Sequence, residues 1–164
     1  MCKERQGSCL GQVLSRRPIP WGPLPDPFTI TGNIDWKDYT TAADVRLPRY
    51  GAATLMARID SADVFKDGNA LYPSGYVLKV NADGHWELLS TSFNRGAAIL
   101  ASGVTTNLDL GWHHLELKCQ GNSIEPFLDS KSLAHVVDLS HTHGMVALGS
   151  DWSHVQFDNF LITP

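Results

Sequence analysis

The chain has 164 residues, 43% hydrophobic and 18% charged, enough to build one domain with a real core. A formal net charge of −4 and a pI near 5.9 provide no basic field, which argues against nucleic acid or an anionic membrane surface as a partner. No apolar run approaches the roughly 20 residues of a membrane span. The charged start Met1-Cys2-Lys3-Glu4-Arg5, followed by a short interrupted apolar stretch from Cys9 to Leu14, does not read as a signal peptide. A secreted form is therefore expected to be part of a longer protein.

Residues 1–26 read as a Pro-rich leader or linker, and residues 27–164 as the domain proper. Gln12-Val13-Leu14 is one candidate strand within the leader. After it, Pro18, Pro20, Pro23, Pro25 and Pro27 hold the backbone extended and stop any helix. Trp21 among them is expected to dock on a neighbouring surface.

From Phe28 onward the pattern is all strand. Tyr39 to Leu47 alternates, with Tyr39, Thr41, Ala43, Val45 and Leu47 on one face. Ala52 to Ile59 follows, then a polar loop from Asp60 to Ser74. Gly75 to Val80 and His85 to Ser90 flank Asn81-Ala82-Asp83-Gly84, a strong hairpin signal. Further strands are expected over Ala97 to Thr105, Gly111 to Cys119, Ile124 to Leu128, Leu133 to Val137, Met145 to Gly149 and Val155 to Thr163. About ten short strands without helical periodicity predict an all-β fold, an antiparallel β-sandwich or jelly roll of the concanavalin A or laminin-G type.

Three cysteines, two near the start (Cys2, Cys9) and one far away (Cys119), fit neither a disulfide framework nor a zinc knuckle. Leu115, Leu117 and Cys119 alternate with His114, Glu116 and Lys118, so Cys119 is expected to point inward as a small free hydrophobe.

The last strand poses a charge problem. With strict alternation, Asp158 shares a face with Phe160 and Ile162, where a carboxylate is costly unless paired, hydrogen-bonded or bound to a metal. Asn33 and Asp35, two residues apart, can point the same way from an extended backbone near the domain's other end. If the first and last strands are neighbours, Asn33, Asp35 and Asp158 converge, with Asp60 a further candidate, and oxygen ligands of this kind suit Ca²⁺. The alternative is that Asn33 and Asp35 cap a turn while Asp158 accepts backbone N–H bonds.

The segments Gln12-Val13-Leu14, Arg17-Pro18-Ile19 with Trp21, Gly32-x-x-x-Trp36, Asp129-x-Lys131-Ser132-Leu133 and Gln156-Phe157-Asp158-Asn159-Phe160-Leu161 run in order along about 150 residues. In these segments the chain resembles the C-terminal part of the galactosylceramidases, glycoside hydrolase family 59. The resemblance implies a lectin-like β-sandwich placed after a catalytic (β/α)₈ barrel and a smaller β-sandwich. It also implies a calcium ion held at the positions of Asn33, Asp35 and Asp158, with Asp60 a further position, and a lysosomal or secreted setting. The sequence departs from the family in having no Asn-x-Ser/Thr glycosylation site and in the loop from Ser61 to Tyr72.

A glycosidase needs two carboxylates roughly 5–10 Å apart around the scissile bond. Glu87, Glu116 and Glu125 fall on separate strands at solvent-facing positions, so no hydrolysis is expected from this chain alone, and the resemblance places that chemistry in the barrel. His141-Thr142-His143 and His113-His114 lack the three or four convergent ligands of a transition-metal site and read as surface polarity. For sugar binding, the aromatic candidates are Tyr72, Trp86 and Trp152, with Asp63, Asp67, Asn69 and Asp151 to bond hydroxyls. The competing reading puts Trp86 and Trp112 in the core and Tyr72 over a loop.

The function these features imply is a non-catalytic, calcium-binding, lectin-like module of a galactosylceramidase-type glycosidase. It would complete the enzyme's fold beside the barrel and present a galactolipid headgroup. The alternative is a laminin-G-like protein-interaction module that binds no sugar.

Overall fold

The computed structural model describes residues 8–13, 26–61, 72–92, 95–106 and 108–164. In chain order the strands are β1 (Leu10–Gly11), β2 (Phe28–Thr31), β3 (Tyr39–Arg46), β4 (Ala52–Ser61), β5 (Ser74–Asn81), β6 (His85–Ser92), β7 (Gly96–Val104), β8 (Trp112–Gln120), β9 (Ser123–Leu128), β10 (Lys131–Ser132), β11 (Val136–Val137), β12 (Met145–Ser150) and β13 (Gln156–Thr163). No helix occurs among the described residues. One sheet runs β1-β13-β3-β8-β9-β10, with β11 also pairing β9, and the other runs β2-β12-β4-β5-β6-β7. Every pairing is antiparallel, so the expected β-sandwich is what the chain forms.

The core lies where the inward faces meet. Val45, Leu115, Leu117, Ile124 and Phe157 of the first sheet pack against Leu55, Leu78, Val80 and Leu88 of the second. Cys119 is free and 1% exposed, and burial pushes its thiol up to about 12, as an inward-facing hydrophobe requires. Cys9, by contrast, is disulfide-bonded.

Coverage on both faces belongs to β4 rather than to β13. Residues 52–59 of β4 are buried without interruption. A second apolar cluster (Met56, Ile59, Tyr72, Val77, Leu89, Ala147) sits on the far side of that sheet. β13 alternates between half-buried and exposed beyond Phe157.

A bulge explains the difference. β13 pairs with β3 through Phe157↔Val45 and Asp158↔Asp44, then resumes one residue out of step at Leu161↔Ala42. Asn159 takes up the extra residue with φ 49°, a left-handed conformation that Asn tolerates better than most side chains. Past the bulge Phe160 and Ile162 turn inward onto the core, and Leu161 is exposed. Asp158 therefore does not share their face, because a single inserted residue inverts the alternation on which that expectation rested.

Near the chain start, β1 lies at Leu10–Gly11, just before the anticipated Gln12-Val13-Leu14. It pairs with β13 through Leu10↔Phe157, and Gln12 N–H donates to Val155 C=O at 3.0 Å. Residues 10–12 are thus built into the sandwich rather than into a separate leader. The Pro-rich segment and Trp21 lie outside the described residues.

The second bulge is in β4, where pairing with β5 and with β12 slips near Arg58. Arg58 has φ 50° and is 1% exposed. Its backbone N–H donates to Tyr39 Oη (2.6 Å), Nε to Lys37 C=O (2.9 Å), Nη1 to His141 C=O (3.0 Å) and Nη2 to Asp38 Oδ1 (3.2 Å). Tyr39 in turn donates to Gly144 C=O at 3.0 Å, so a buried cation and a buried phenol close one end of the sandwich. Burial raises the Tyr39 hydroxyl well above its ordinary range, which keeps it a neutral donor.

Arg58→Ala leaves two carbonyls without donors and is expected to lower the unfolding free energy by about 3 kcal/mol in urea titration. Arg58→Lys is expected to recover only part of that loss, because an ammonium cannot reach three separated acceptors in the plane of a guanidinium. A loss for Arg58→Ala below about 1 kcal/mol would contradict this role.

Candidate carbohydrate site

The four residues expected to hold calcium do not come together as a set. Asn33 Oδ1 accepts the N–H of Asp35 at 2.9 Å, closing a turn just after β2. Asp60, at the end of β4, is 2.8 Å from Nδ1 of His141. That turn and β4 are linked through residues 143–144: His143 Nδ1 bonds Ile34 C=O at 2.7 Å, and Gly144 packs against the Ile59 backbone.

Asp158 lies elsewhere. It faces outward on β13 opposite Asp44, five residues along β3 from Tyr39, about 17 Å at the usual strand rise. Its Oδ1 accepts the N–H of Asn159 at 2.8 Å. Asp44 is held by Asn159 Nδ2 (2.7 Å) and His114 Nδ1 (2.6 Å), which offsets the repulsion of two carboxylates placed directly across from each other. Among the described residues no three His, Cys, Asp or Glu side chains form a group that could hold a metal ion. The bulge and this bonding place Asp158 on the outward face, with Asp44 held by Asn159 and His114.

The aromatic candidates fare differently from one another. Trp86 is 6% exposed in the core, pressed so closely on Gly103 that a Cβ there would stand 2.9 Å from its ring. Tyr72 is also buried, its hydroxyl 3.5 Å from Asp26 Oδ2. Trp152, with φ 69°, is half-buried and its Nε1 is enclosed without a partner. Tyr72 and Trp86 offer no open ring face. Asp63, Asp67 and Asn69 lie outside the described residues.

Asp151 does reach a candidate site. Three loops meet at the end of the sandwich where β3, β5 and β12 finish. Ala82 N–H donates to Gly51 C=O at 2.9 Å, and Asp151 N–H donates to Ala52 C=O at 3.4 Å. The close approach explains Gly51, whose φ is 132° and where a Cβ would collide with Ser153.

Between the loops is an open cavity of about 170 Å³ lined by Arg49, Tyr50, Asn81, Asp83 and Asp151. Tyr50 is 77% exposed, with the Arg49 guanidinium 5.7 Å from its ring centre. Asp151 Oδ1 is fixed by the N–H (3.3 Å) and hydroxyl (2.5 Å) of Ser153. The backbone N–H of His85, and then its ring, hold the Asp83 carboxyl below its ordinary range, so it stays an acceptor. A flat ring beside two carboxylates, an amide and a guanidinium can stack the apolar face of a pyranose and bond its hydroxyls.

Tyr50 and Arg49 carry this site, and the sequence reading missed them. The signal was local: an aromatic between Pro48 and Gly51 in a short turn has no strand to carry it into the core.

The placement of Asp158 generates a test. Asp158→Asn is expected to leave any calcium-induced shift in melting temperature unchanged, as read by thermal unfolding with and without EGTA. Loss of such a shift in this variant would restore the convergent site.

Residues 2–164 match the family described as galactocerebrosidase, C-terminal lectin domain. Galactocerebrosidase of Salmo salar is 28% identical over 159 residues, 93% of this chain and 23% of that protein, so the chain spans about a quarter of that relative. Among solved structures, the carbohydrate binding module CBM66 from Bacillus subtilis has a TM-score of 0.69 at 22% identity, covering 85% of this chain and 83% of that one. Sheep galectin-11, in complex with glycerol, has a TM-score of 0.60 at 10% identity, covering 85% and 98%. At these identities the two structures share the sandwich fold with this chain, while the family match spans nearly its whole length. The chain belongs to the galactocerebrosidase C-terminal lectin domain family.

Proposed function

We propose that this domain is the sugar-recognising, non-catalytic module of a galactosylceramidase-type glycosidase, and that it presents a galactolipid headgroup at the Tyr50 shelf. The observation that carries the reading is the exposed Tyr50 ring set among Arg49, Asn81, Asp83 and Asp151 at the tip of a lectin-type sandwich. An exposed tyrosine ring offers a flat apolar face beside a polar hydroxyl, which matches a ligand with one apolar face and many hydroxyls.

The chemistry of hydrolysis is assigned, in this reading, to the barrel of the parent enzyme, which would work in the lysosome or after secretion. Glu87, Glu116 and Glu125 stand on β6, β8 and β9, and Glu125 is engaged by His135 at 2.8 Å, an arrangement suited to solvation rather than to flanking a glycosidic bond.

Vesicles of phosphatidylcholine with and without galactosylceramide test the proposal by flotation. Wild-type chain is expected to float with galactosylceramide vesicles and not with plain ones. Tyr50→Ala is expected to weaken that binding about tenfold, near 1.4 kcal/mol, while the melting temperature holds because the ring is exposed. Equal binding to both vesicle types, or binding indifferent to Tyr50, would favour a protein-interaction role instead.

A further inference from the structure

A larger cavity, of about 430 Å³, lies at the opposite end of β5 from the Tyr50 shelf. Its walls are polar for a space between two sheets. They include Asp60 at the end of β4, Ser90 on β6, Arg95 just before β7, and Asp138 and His141 in the connection from β11 to β12. The reading of Tyr50 leaves these residues without a role.

His141 is the informative member. It is 4% exposed, and its Nδ1 is 2.8 Å from Asp60 Oδ2. In the neutral ring a proton on Nδ1 faces that carboxylate and Nε2 is an acceptor. Nε2 is buried and has no hydrogen-bond partner. A buried acceptor left unpaired is unfavourable, and few such groups persist in a folded protein without a water or a ligand.

The ring is not loosely placed. It stands perpendicular to the Tyr76 ring at 5.1 Å between centroids, its backbone N–H reaches Tyr76 Oη at 3.3 Å, and its carbonyl is held by Arg58 at 3.0 Å. Asp138 is positioned by Tyr76 Oη (2.7 Å) and the Ser140 N–H (2.8 Å). Partial burial would raise the Asp138 carboxyl, but these bonds outweigh it and the group lies below its ordinary range.

The donor set selects the ligand class. Two carboxyl groups beside one guanidinium disfavour an anion, and no three potential metal ligands among the described residues form a group that could hold a cation. Carboxylates, an imidazole acceptor, a serine hydroxyl and a guanidinium together suit a ligand that offers many hydroxyls and no charge. We propose that this cavity binds a small uncharged polyol, a single sugar ring or its equivalent, with a ligand hydroxyl donating to His141 Nε2. The site is separate from the Tyr50 shelf and does not depend on it.

Long-range ¹H–¹⁵N NMR of the imidazoles in the full 164-residue chain tests this, with methyl β-galactoside and methyl β-glucoside as probes. The His141 Nε2 resonance is expected to move saturably with at least one of them, and to do so equally in Tyr50→Ala. Ala98→Phe, an exposed position on the cavity wall, is expected to weaken that response about tenfold without changing the melting temperature. No movement with either probe up to the limit of solubility overturns the proposal, and means that Nε2 is satisfied by water alone. A response lost in Tyr50→Ala, or untouched by Ala98→Phe, also overturns it, since the sugar would then sit elsewhere. The Tyr50 reading is judged independently, by vesicle flotation.

Discussion

The buried guanidinium of Arg58 is the constraint on which the rest of this sandwich depends. An arginine 1% exposed is tolerable only when its guanidinium is well engaged, and here Nε, Nη1 and Nη2 reach Lys37, His141 and Asp38, acceptors from two separate segments. To bring those acceptors within reach, β4 accepts a bulge and a left-handed residue. The same bulge turns the backbone N–H of Arg58 toward Tyr39 Oη, whose own proton goes to the start of β12. One side chain thus ties β3, β4, the approach to β12 and the loop carrying His141 into a single closed end.

Closing one end of the sandwich shapes what each end can do. Where Arg58 fixes the backbone of His141, the imidazole is held against Tyr76 and Asp60 rather than released to solvent, and a polar cavity remains beside it. At the other end no such plug exists among the described residues. Three loops are joined there by backbone bonds from Ala82 to Gly51 and from Asp151 to Ala52, and Tyr50 stands out between them. The rigid end positions donors and acceptors, and the looped end displays a ring.

How legible this was in the sequence depended on whether a residue obeyed alternation. The strands of β3 and β8, the hairpin at Asn81-Ala82-Asp83-Gly84 and the inward Cys119 could be read from period two and turn chemistry, because nothing interrupts them. Asp158 could not be placed, since the inserted Asn159 is invisible to a pattern that assumes one residue per step. Arg58 is illegible for the same reason: a charged residue inside an apolar strand looks like an outward exception, and its acceptors are 20, 21 and 83 residues away in the chain. Tyr72 and Trp86 were chosen for aromaticity, but exposure is decided by which strand covers which, and that is a tertiary fact.

The most direct measurement of the central claim is a ¹⁵N–¹H correlation spectrum of the chain titrated with methyl β-galactoside. The account predicts saturable shifts at the amides of the three joined loops: residues 49–51, 81–84 and 151–153. A spectrum in which those amides stay fixed while the sugar is raised to its solubility limit would contradict it.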